Sequence, residues 1–348
     1  MMTAIDTATG AAQNQLEPLS AIAKHLERPL RQLDAQLQAA LASDVPLVNT
    51  IAHYIANAGG KRIRPILVFL GCEVFEGSAS SPAAVQLAAI VELIHTATLL
   101  HDDVVDQSDL RRGRPTANAE FGNPASVLVG DFLYSRAFQL MVALGKPEVL
   151  EVLANATNRI AEGEVMQLMA LGRLDLSVAE YLRVIEAKTA KLFEAAGALG
   201  AIAAGAEPAL VQKMADYARH LGVAFQIADD VLDYRGHAQR LGKRLGDDLA
   251  EGKLTLPIIM AFERSDPTTT EQLKRVLTHN REHADEHDAS ELAHVYAVLE
   301  SCGAFNASLA VAHAEAECAR TIARSLPGAS AAKHWMLELA SYAVSRDR

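Results

Sequence analysis

Two stretches of the chain carry the pattern Asp-Asp-x-x-Asp: Asp102, Asp103 and Asp106 in LLHDDVVD, and Asp229, Asp230 and Asp233 in FQIADDVLD. On a helix, residues four apart share a face, so Asp102 pairs with Asp106 and Asp229 with Asp233. Like charges at that spacing weaken a helix unless something offsets them. Carboxylate oxygens without Cys or His partners suit a hard divalent cation, above all Mg²⁺, which keeps waters and shares its shell with substrate phosphates. An EF-hand calcium loop is a poorer match, because it spaces its ligands D-x-D-x-D-G around a turn. Both clusters directly follow apolar helical runs, residues 97–100 and 223–228, where merely solvated charge is out of place.

Three basic groups accompany the carboxylates. Lys61, Arg62 and Arg64 stand in GGKRIRP; Arg111, Arg112 and Arg114 flank a turn marked by Gly113 and Pro115; Lys243, Arg244 and Lys253 stand in GKRLGDDLAEGK. Arginine forks match phosphate oxygens and lysine acts as a mobile point charge, so three such groups beside two metal sites predict more than one bound diphosphate. His95, seven residues before Asp102, shares its face two turns down, and Gln226 bears the same relation to Asp233. Gln167 reads equally well as a buried hydrogen-bonding partner.

The elements that must hold these residues are helices. Apolar residues recur at three- and four-residue spacings, strand-type alternation is scarce, and no strand is expected. Glycine and proline punctuation places helix ends at Gly59-Gly60, Glu76-Gly77-Ser78, Gly122-Asn123-Pro124, Gly145-Lys146-Pro147, Glu207-Pro208, Ser265-Asp266-Pro267 and Leu326-Pro327-Gly328. That predicts about a dozen helices in one all-α domain over residues 16–348, behind a frayed tail over residues 1–15 that shows no signal-peptide pattern. The polar stretch from His279 to Ser290 reads as an exposed loop and helix start. The longest apolar run, residues 83–100, is interrupted by Gln86, Glu92 and His95 and reads as a buried helix rather than a membrane span. A net charge of -11 over 348 residues argues against general nucleic-acid binding. Three cysteines without metal-ligand spacing point to a reducing cytoplasm.

From Gly59 to Pro257 the motifs GGKRIRP, ELIHTATLLHDDVVD, RRGRPT, GDFLY, GEVMQL, KTAKLF, FQIADDVLD and GKRLGDDLAEGKLTLP follow in order, and the chain ends in LASYAVSRDR. In this the sequence resembles the trans-isoprenyl diphosphate synthases, and most closely their long-chain, octaprenyl-type members. The resemblance implies a bundle of the isoprenoid synthase type around a deep central cavity, with the two aspartate motifs facing each other at its mouth. It implies that Asp102, Asp103, Asp106 and Asp229, with Asp230 and Asp233 partly through water, hold Mg²⁺ on an allylic diphosphate, farnesyl diphosphate being the expected primer. Arg111, Lys188 and Lys243 would clamp that diphosphate. Gly60, Lys61, Arg64, His95 and Arg112 would receive isopentenyl diphosphate, and Thr189 and Gln226 would lie near the reacting carbons. It further implies a homodimer and a product handed to the membrane, for example as a quinone side chain.

Short-chain relatives carry bulky aromatic residues one turn before the first motif, where this chain has Ala97 and Thr98, so the expected product is long, octaprenyl or similar. Candidates for the tunnel floor are Leu133, Phe138, Leu140, Met141, Met166 and Met169. Two other readings compete. A terpene cyclase-like enzyme would carry an Asn/Ser/Glu second motif in place of DDVLD and would lack GGKRIRP. A non-catalytic helical subunit that binds a prenyl diphosphate would be expected to have lost aspartates or arginines, and none is missing. Gln107, where relatives often carry an acidic residue, bears little on the metal site.

Overall fold

The computed structural model describes residues 17–56, 59–111, 113–235, 247–282 and 289–346. In chain order the helices are α1 (Glu17–His25), α2 (Glu27–Leu41), α3 (Pro46–Ala56), α4 (Ile63–Val74), α5 (Pro82–Val105), α6 (Ala117–Phe121), α7 (Asn123–Leu144), α8 (Pro147–Ala170) and α9 (Val178–Ile185). A five-residue π-helical turn, Glu186–Ala190, leads straight into α10 (Lys191–Ala203). Then follow α11 (Pro208–Arg235), α12 (Asp247–Ala250), α13 (Leu256–Arg264), α14 (Pro267–Glu282), α15 (Ala289–Ser301), α16 (Ala304–Ser325) and α17 (Ser330–Ser345).

The fold is all-α, with more helices than the expected dozen because short ones cap the longer ones. One expectation needs correction: Leu110–Arg111 (β1) and Arg114–Pro115 (β2) form a two-residue antiparallel hairpin. A ladder that short leaves no alternating pattern in a sequence, and only the Gly113 turn announced it. The stretch from His279 begins inside α14, which runs to Glu282, so its first residues are helical; residues 283–288 lie outside the described chain.

Helix α5 shows how the sequence builds the centre. Ser81 caps its first turn by accepting from the Ala84 amide, and Pro82 fills the position where no intrahelical amide partner is needed. Beyond that cap the helix is apolar nearly all round, which only burial on several sides satisfies. It packs against α2, α4, α7 and α10. By length and hydropathy α5 and α7 are both capable of crossing a membrane; α5 is instead enclosed by its neighbours, whereas most of α7 faces outward. Helix α11 ties the bundle together. Its Met214, Tyr217 and Leu221 belong to the apolar cluster around α4 and α5, and its Val223, Ile227 and Val231 to a second one shared with α9, α13 and α16. Close approach of α10 to α11 depends on Gly197, where an added methyl would stand 2.6 Å from the Met214 carbonyl oxygen.

The start of α9 is fixed by a capping box: the Ser177 hydroxyl accepts from the Glu180 amide while the Glu180 carboxylate accepts from the Ser177 amide and hydroxyl. The Ser177 amide and hydroxyl, with Arg173, hold the Glu180 carboxyl at about 2. A depressed folded-state value means that the stability it brings is complete above the ordinary glutamate range near ~4.3 and fades as pH falls toward about 2. Ser177→Ala is expected to cost about 1 kcal/mol at neutral pH through the lost cap, and only the share carried by the Glu180 carboxylate shrinks as pH falls to about 2, as read by urea denaturation at neutral pH and at that pH.

Candidate active site

A cavity of about 790 Å³ opens between α5, α8, the π turn and α11. One stripe of α5, comprising His95, Thr98, Leu99, Asp102 and Asp106, forms a wall. These positions differ by threes and fours, so they fall on one face. The facing stripe of α11 supplies Phe225, Gln226, Asp229, Asp230 and Asp233. The segment before α4 adds Gly60 and Lys61, and the first turn of α4 adds Arg64; the π turn adds Lys188 and Thr189; the β hairpin adds Arg111; the residue after α17 adds Arg346.

The structure brings five of the six predicted aspartates onto this cavity. Asp103 is the exception: it is buried off the cavity and accepts from Arg111 through Nε at 2.9 Å and Nη2 at 2.7 Å. One residue's step along a helix turns the side chain by about 100°, which aims Asp103 at the hairpin. Its work here is to hold the Arg111 guanidinium, which does line the cavity.

On the α5 wall, Asp102 lies 3.8 Å from Lys188. Its carboxyl is pushed above the usual range, first by burial; Lys188 opposes the shift and Asp106 adds to it. Asp106 accepts from Lys253 at 2.8 Å, and Lys253 also pairs with Glu251 at 2.5 Å. Glu164 accepts from Lys188 at 2.6 Å and is pushed up to about 7 by burial and by Asp102. On the α11 wall, Asp230 is buried and accepts from the Tyr181 hydroxyl at 2.5 Å and the Gln226 amide at 2.7 Å. Burial and the charge of Asp248 push it up to about 8. Gln226 accepts in turn from Thr189 at 3.0 Å. A continuous network therefore runs from the π turn through Gln226 and Asp230 to Tyr181. Asp233 accepts from the Asp248 amide at 3.3 Å.

Burial is the first cause of the raised carboxyls on both walls, with neighbouring carboxylates adding to it. Among the described residues, no three acidic, His or Cys side chains stand close enough to hold an ion by themselves. A cation here must draw the rest of its shell from water and diphosphate oxygens, which is the habit of Mg²⁺. The donor set fits that ion: hard oxygens from Asp102 and Asp106 on one wall and from Asp229 and Asp233 on the other, with Asp230 anchored to Tyr181.

The cationic side chains divide into two groups. Lys188, Lys253 and Arg111 surround the α5 aspartates. Lys61 and Arg64 lie toward the other end, against aromatic rings: the Lys61 ammonium is 5.7 Å from the Phe225 ring centre, and the Arg64 guanidinium is 4.6 Å from that of Phe193. Their neighbour Arg62 is spent on structure. It adopts a left-handed backbone at the start of α4 and pairs with buried Glu92 at 2.5 Å. Arg112 and Lys243 lie outside the described residues. Four contributors were not singled out from sequence: Glu164, Tyr181, Asp248 and Arg346. Glu164 sits inside a quoted motif, whereas Tyr181 reads as plain core because its partner Asp230 is distant in the chain.

Thr98 faces the cavity and Ala97 does not. Ala97 lies about 140° round the helix from Asp102 and is fully buried. Leu133 and Met141 on α7 are likewise wholly buried in the core, while Phe138 and Met169 are exposed to solvent, so neither of the latter is a tunnel floor. Along α5 the cavity lining runs from Asp106 past Leu99 and Thr98 to His95 and Glu92.

The π turn that presents Lys188 and Thr189 is seated on α8 at Gly163. A methyl there would stand 2.6 Å from the Lys188 amide nitrogen and 2.9 Å from the Ala187 carbonyl carbon, and backbone atoms have no cheap way to give. Gly163→Ala is expected to displace Lys188 and lower kcat/KM by about 100-fold, the usual cost of misplacing a reacting group by ~1 Å, while circular dichroism still reports a folded helical protein.

A family model described as polyprenyl synthetase matches residues 45–295. The chain is 45% identical over 319 residues to the octaprenyl diphosphate synthase of Escherichia coli (strain K12), covering 91% of this chain and 95% of the relative. It is 52% identical over 252 residues to that of Haemophilus influenzae, covering 72% and 75%. Among solved structures, the polyprenyl synthase of Caulobacter crescentus CB15, complexed with calcium and isoprenyl diphosphate, superposes with a TM-score of 0.89 at 41% identity, covering 95% of this chain and 98% of the other. With its paired aspartate helices, its two cationic groups and these likenesses, the chain belongs to the polyprenyl synthetase family.

Proposed function

We propose that this prenyltransferase condenses isopentenyl diphosphate head-to-tail onto an allylic primer, farnesyl diphosphate, in a Mg²⁺-dependent reaction that yields octaprenyl diphosphate or a product of similar length. The observation that carries this reading is the pairing of two separate cationic groups with two facing aspartate walls in one cavity. A single-substrate cyclase has no use for the second cationic group.

Bound magnesium would neutralise charge on the allylic diphosphate as it departs. The chain's own residues do the rest. Lys188 and Arg111 reach the same diphosphate, with Arg111 held ready by Asp103 and Lys188 by Glu164. Such donors act where charge develops and need no reorganisation during reaction. Lys61, Arg64 and His95 hold isopentenyl diphosphate so that its alkene meets the allylic carbon, and Leu99, Phe193 and Phe225 keep water from the allylic cation. The allylic carbon–oxygen bond breaks, the alkene of isopentenyl diphosphate attacks the resulting cation to form the new carbon–carbon bond, and a proton leaves the condensed product for the released diphosphate.

A homodimer in the cytoplasm completes the proposal. Helix α7 carries Leu128 and Val142 at 67% and 66% exposure, and α8 carries Met169 at 74%, more outward apolar surface than these two helices need as monomer surface. The three cysteines are free thiols, which suits a reducing compartment. The catalytic proposal is tested by incubating purified protein with farnesyl diphosphate, labelled isopentenyl diphosphate and Mg²⁺, then sizing the extracted product. Chains near forty carbons support it, and folded protein that elongates nothing overturns it in favour of a non-catalytic binding subunit. Light scattering at twice the chain mass supports the dimer; a monomer that floats with lipid vesicles would assign the α7 face to the membrane.

A further inference from the structure

Lys61 and Arg64, the two cations of GGKRIRP assigned above to isopentenyl diphosphate, stand on either side of Arg62. Arg62 enters α4 with φ 51° and ψ 31°. That left-handed conformation is disfavoured for any residue with a β-carbon and persists only where the surroundings over-determine it. The Arg62 side chain makes no cap bond to its own helix. It crosses to α5 instead, where Nη1 donates to Glu92 Oε1 at 2.5 Å, while Nη2 lies 3.7 Å from Asp34 of α2. The two partners differ in weight. The Asp34 side chain is 61% exposed and contributes little. That of Glu92 is 9% exposed, so its charge has left water and depends on the guanidinium. Glu92 stands three residues before His95, on the same face of α5, and both line the cavity. One buried ion pair therefore ties the backbone that carries Lys61 and Arg64 to the helix turn that carries His95.

We propose that Arg62, acting through Glu92, is a positioning residue for the homoallylic diphosphate: the pair holds the left-handed turn that sets Lys61, Arg64 and His95 at one fixed spacing, and Arg62 does not itself bind the substrate. The Arg62 carbonyl also accepts the first bond of α4, from the Ile66 amide at 3.0 Å. A backbone change at this residue thus moves Lys61, before the turn, relative to Arg64, inside the helix. The inference rests on the two-diphosphate reading above and adds to it the device that sets the spacing of its second cationic group.

Isothermal titration of isopentenyl diphosphate, without primer, into wild type, Glu92→Gln, Arg62→Met and the double variant Arg62→Met/Glu92→Met tests it. Arg62→Met is expected to weaken binding by about 10-fold, the equivalent of one charge-assisted hydrogen bond lost to misplacement, and Glu92→Gln by several-fold. The double variant removes both buried charges, so its melting temperature recovers from that of Arg62→Met while its affinity stays low. In steady state the KM for isopentenyl diphosphate rises in all three variants, and kcat and the KM for farnesyl diphosphate stay near wild type. Tighter binding by Glu92→Gln overturns the proposal, because a guanidinium released from Glu92 would then be a ligand in its own right. Recovery of affinity together with stability in the double variant also overturns it, by marking a purely structural pair, as does wild-type affinity in Arg62→Met. If Arg62→Met does not fold, Glu92→Gln and the double variant decide on the same readings. Failure of folded wild type to bind isopentenyl diphosphate sinks the functional reading itself and the proposal with it.

Discussion

Asp102→Ala is expected to lower kcat by about 10²- to 10³-fold, the scale on which removing one preorganised charge-stabilising group acts, with the fold intact. Asp102 is placed for this effect by three facts. It stands on the α5 stripe that forms the cavity wall. Its carboxyl is pushed upward by burial, against the pull of Lys188, so its charged form is one that a nearby cation would favour. It also lies 3.8 Å from the Lys188 ammonium, across the cavity from the π turn. Its loss leaves Lys188 paired with Glu164 alone and strips the cavity wall of one of its two α5 aspartates. Stability should change little, because the substitution removes a buried like-charge repulsion along with a weak ion pair. Asp103→Ala separates the two roles within one motif. It frees Arg111 without emptying the cavity wall, so the expected result is a higher KM for the allylic substrate and a smaller fall in kcat. Steady-state kinetics for both substrates, beside thermal melts, check the pair. An Asp102→Ala enzyme of near-normal turnover would remove this carboxylate from the catalytic account.

The contrast between Asp102 and Asp103 also marks what was legible in the sequence. Helical period alone places Asp102 and Asp106, or Asp229 and Asp233, on common faces and brings His95 and Gln226 with them. Glycine and proline punctuation located the ends of α7, α8, α11 and α14, because those residues act on the local backbone. What could not be read was tertiary. The Tyr181 hydroxyl on Asp230 joins positions 49 residues apart, and the Arg346 contact with Phe225 spans 121. Nothing local distinguishes a tyrosine that anchors a carboxylate from one that fills a core. The π turn was equally hidden. KTAKLF has the composition of an ordinary helix, and its distortion is visible only once α8 lies against it at Gly163. Ala97, expected from the resemblance to flank the growing tail, is fully buried, and its five-residue offset turns the side chain away from Asp102.

That offset sets up a second large expected effect, on product length. Thr98→Tyr should shift the product from long chains to those a few isoprene units longer than the primer. The Thr98 hydroxyl is already spent on the His95 carbonyl oxygen at 2.8 Å, and the residue lines the cavity wall one turn before Asp102. A cavity of about 790 Å³ is of the size that encloses a drug-sized ligand. Primer and isopentenyl diphosphate therefore fill most of it, and each further unit has to press into the apolar wall below. With threonine there, the wall can yield around a small side chain; a tyrosine ring blocks the same path before the first few condensations are complete. The first condensation takes place above this turn, so the initial rate with farnesyl diphosphate should stay within several-fold of wild type. Ala97→Tyr serves as the control: it drives a ring into the packed face behind the cavity and should cost about 1–3 kcal/mol by overpacking, seen first as a lower melting temperature. Chromatography of labelled products from both variants decides between the positions. An unchanged length distribution from Thr98→Tyr, or shortening by Ala97→Tyr at unaltered stability, would show that the growing tail leaves the cavity by a route other than the Thr98 turn.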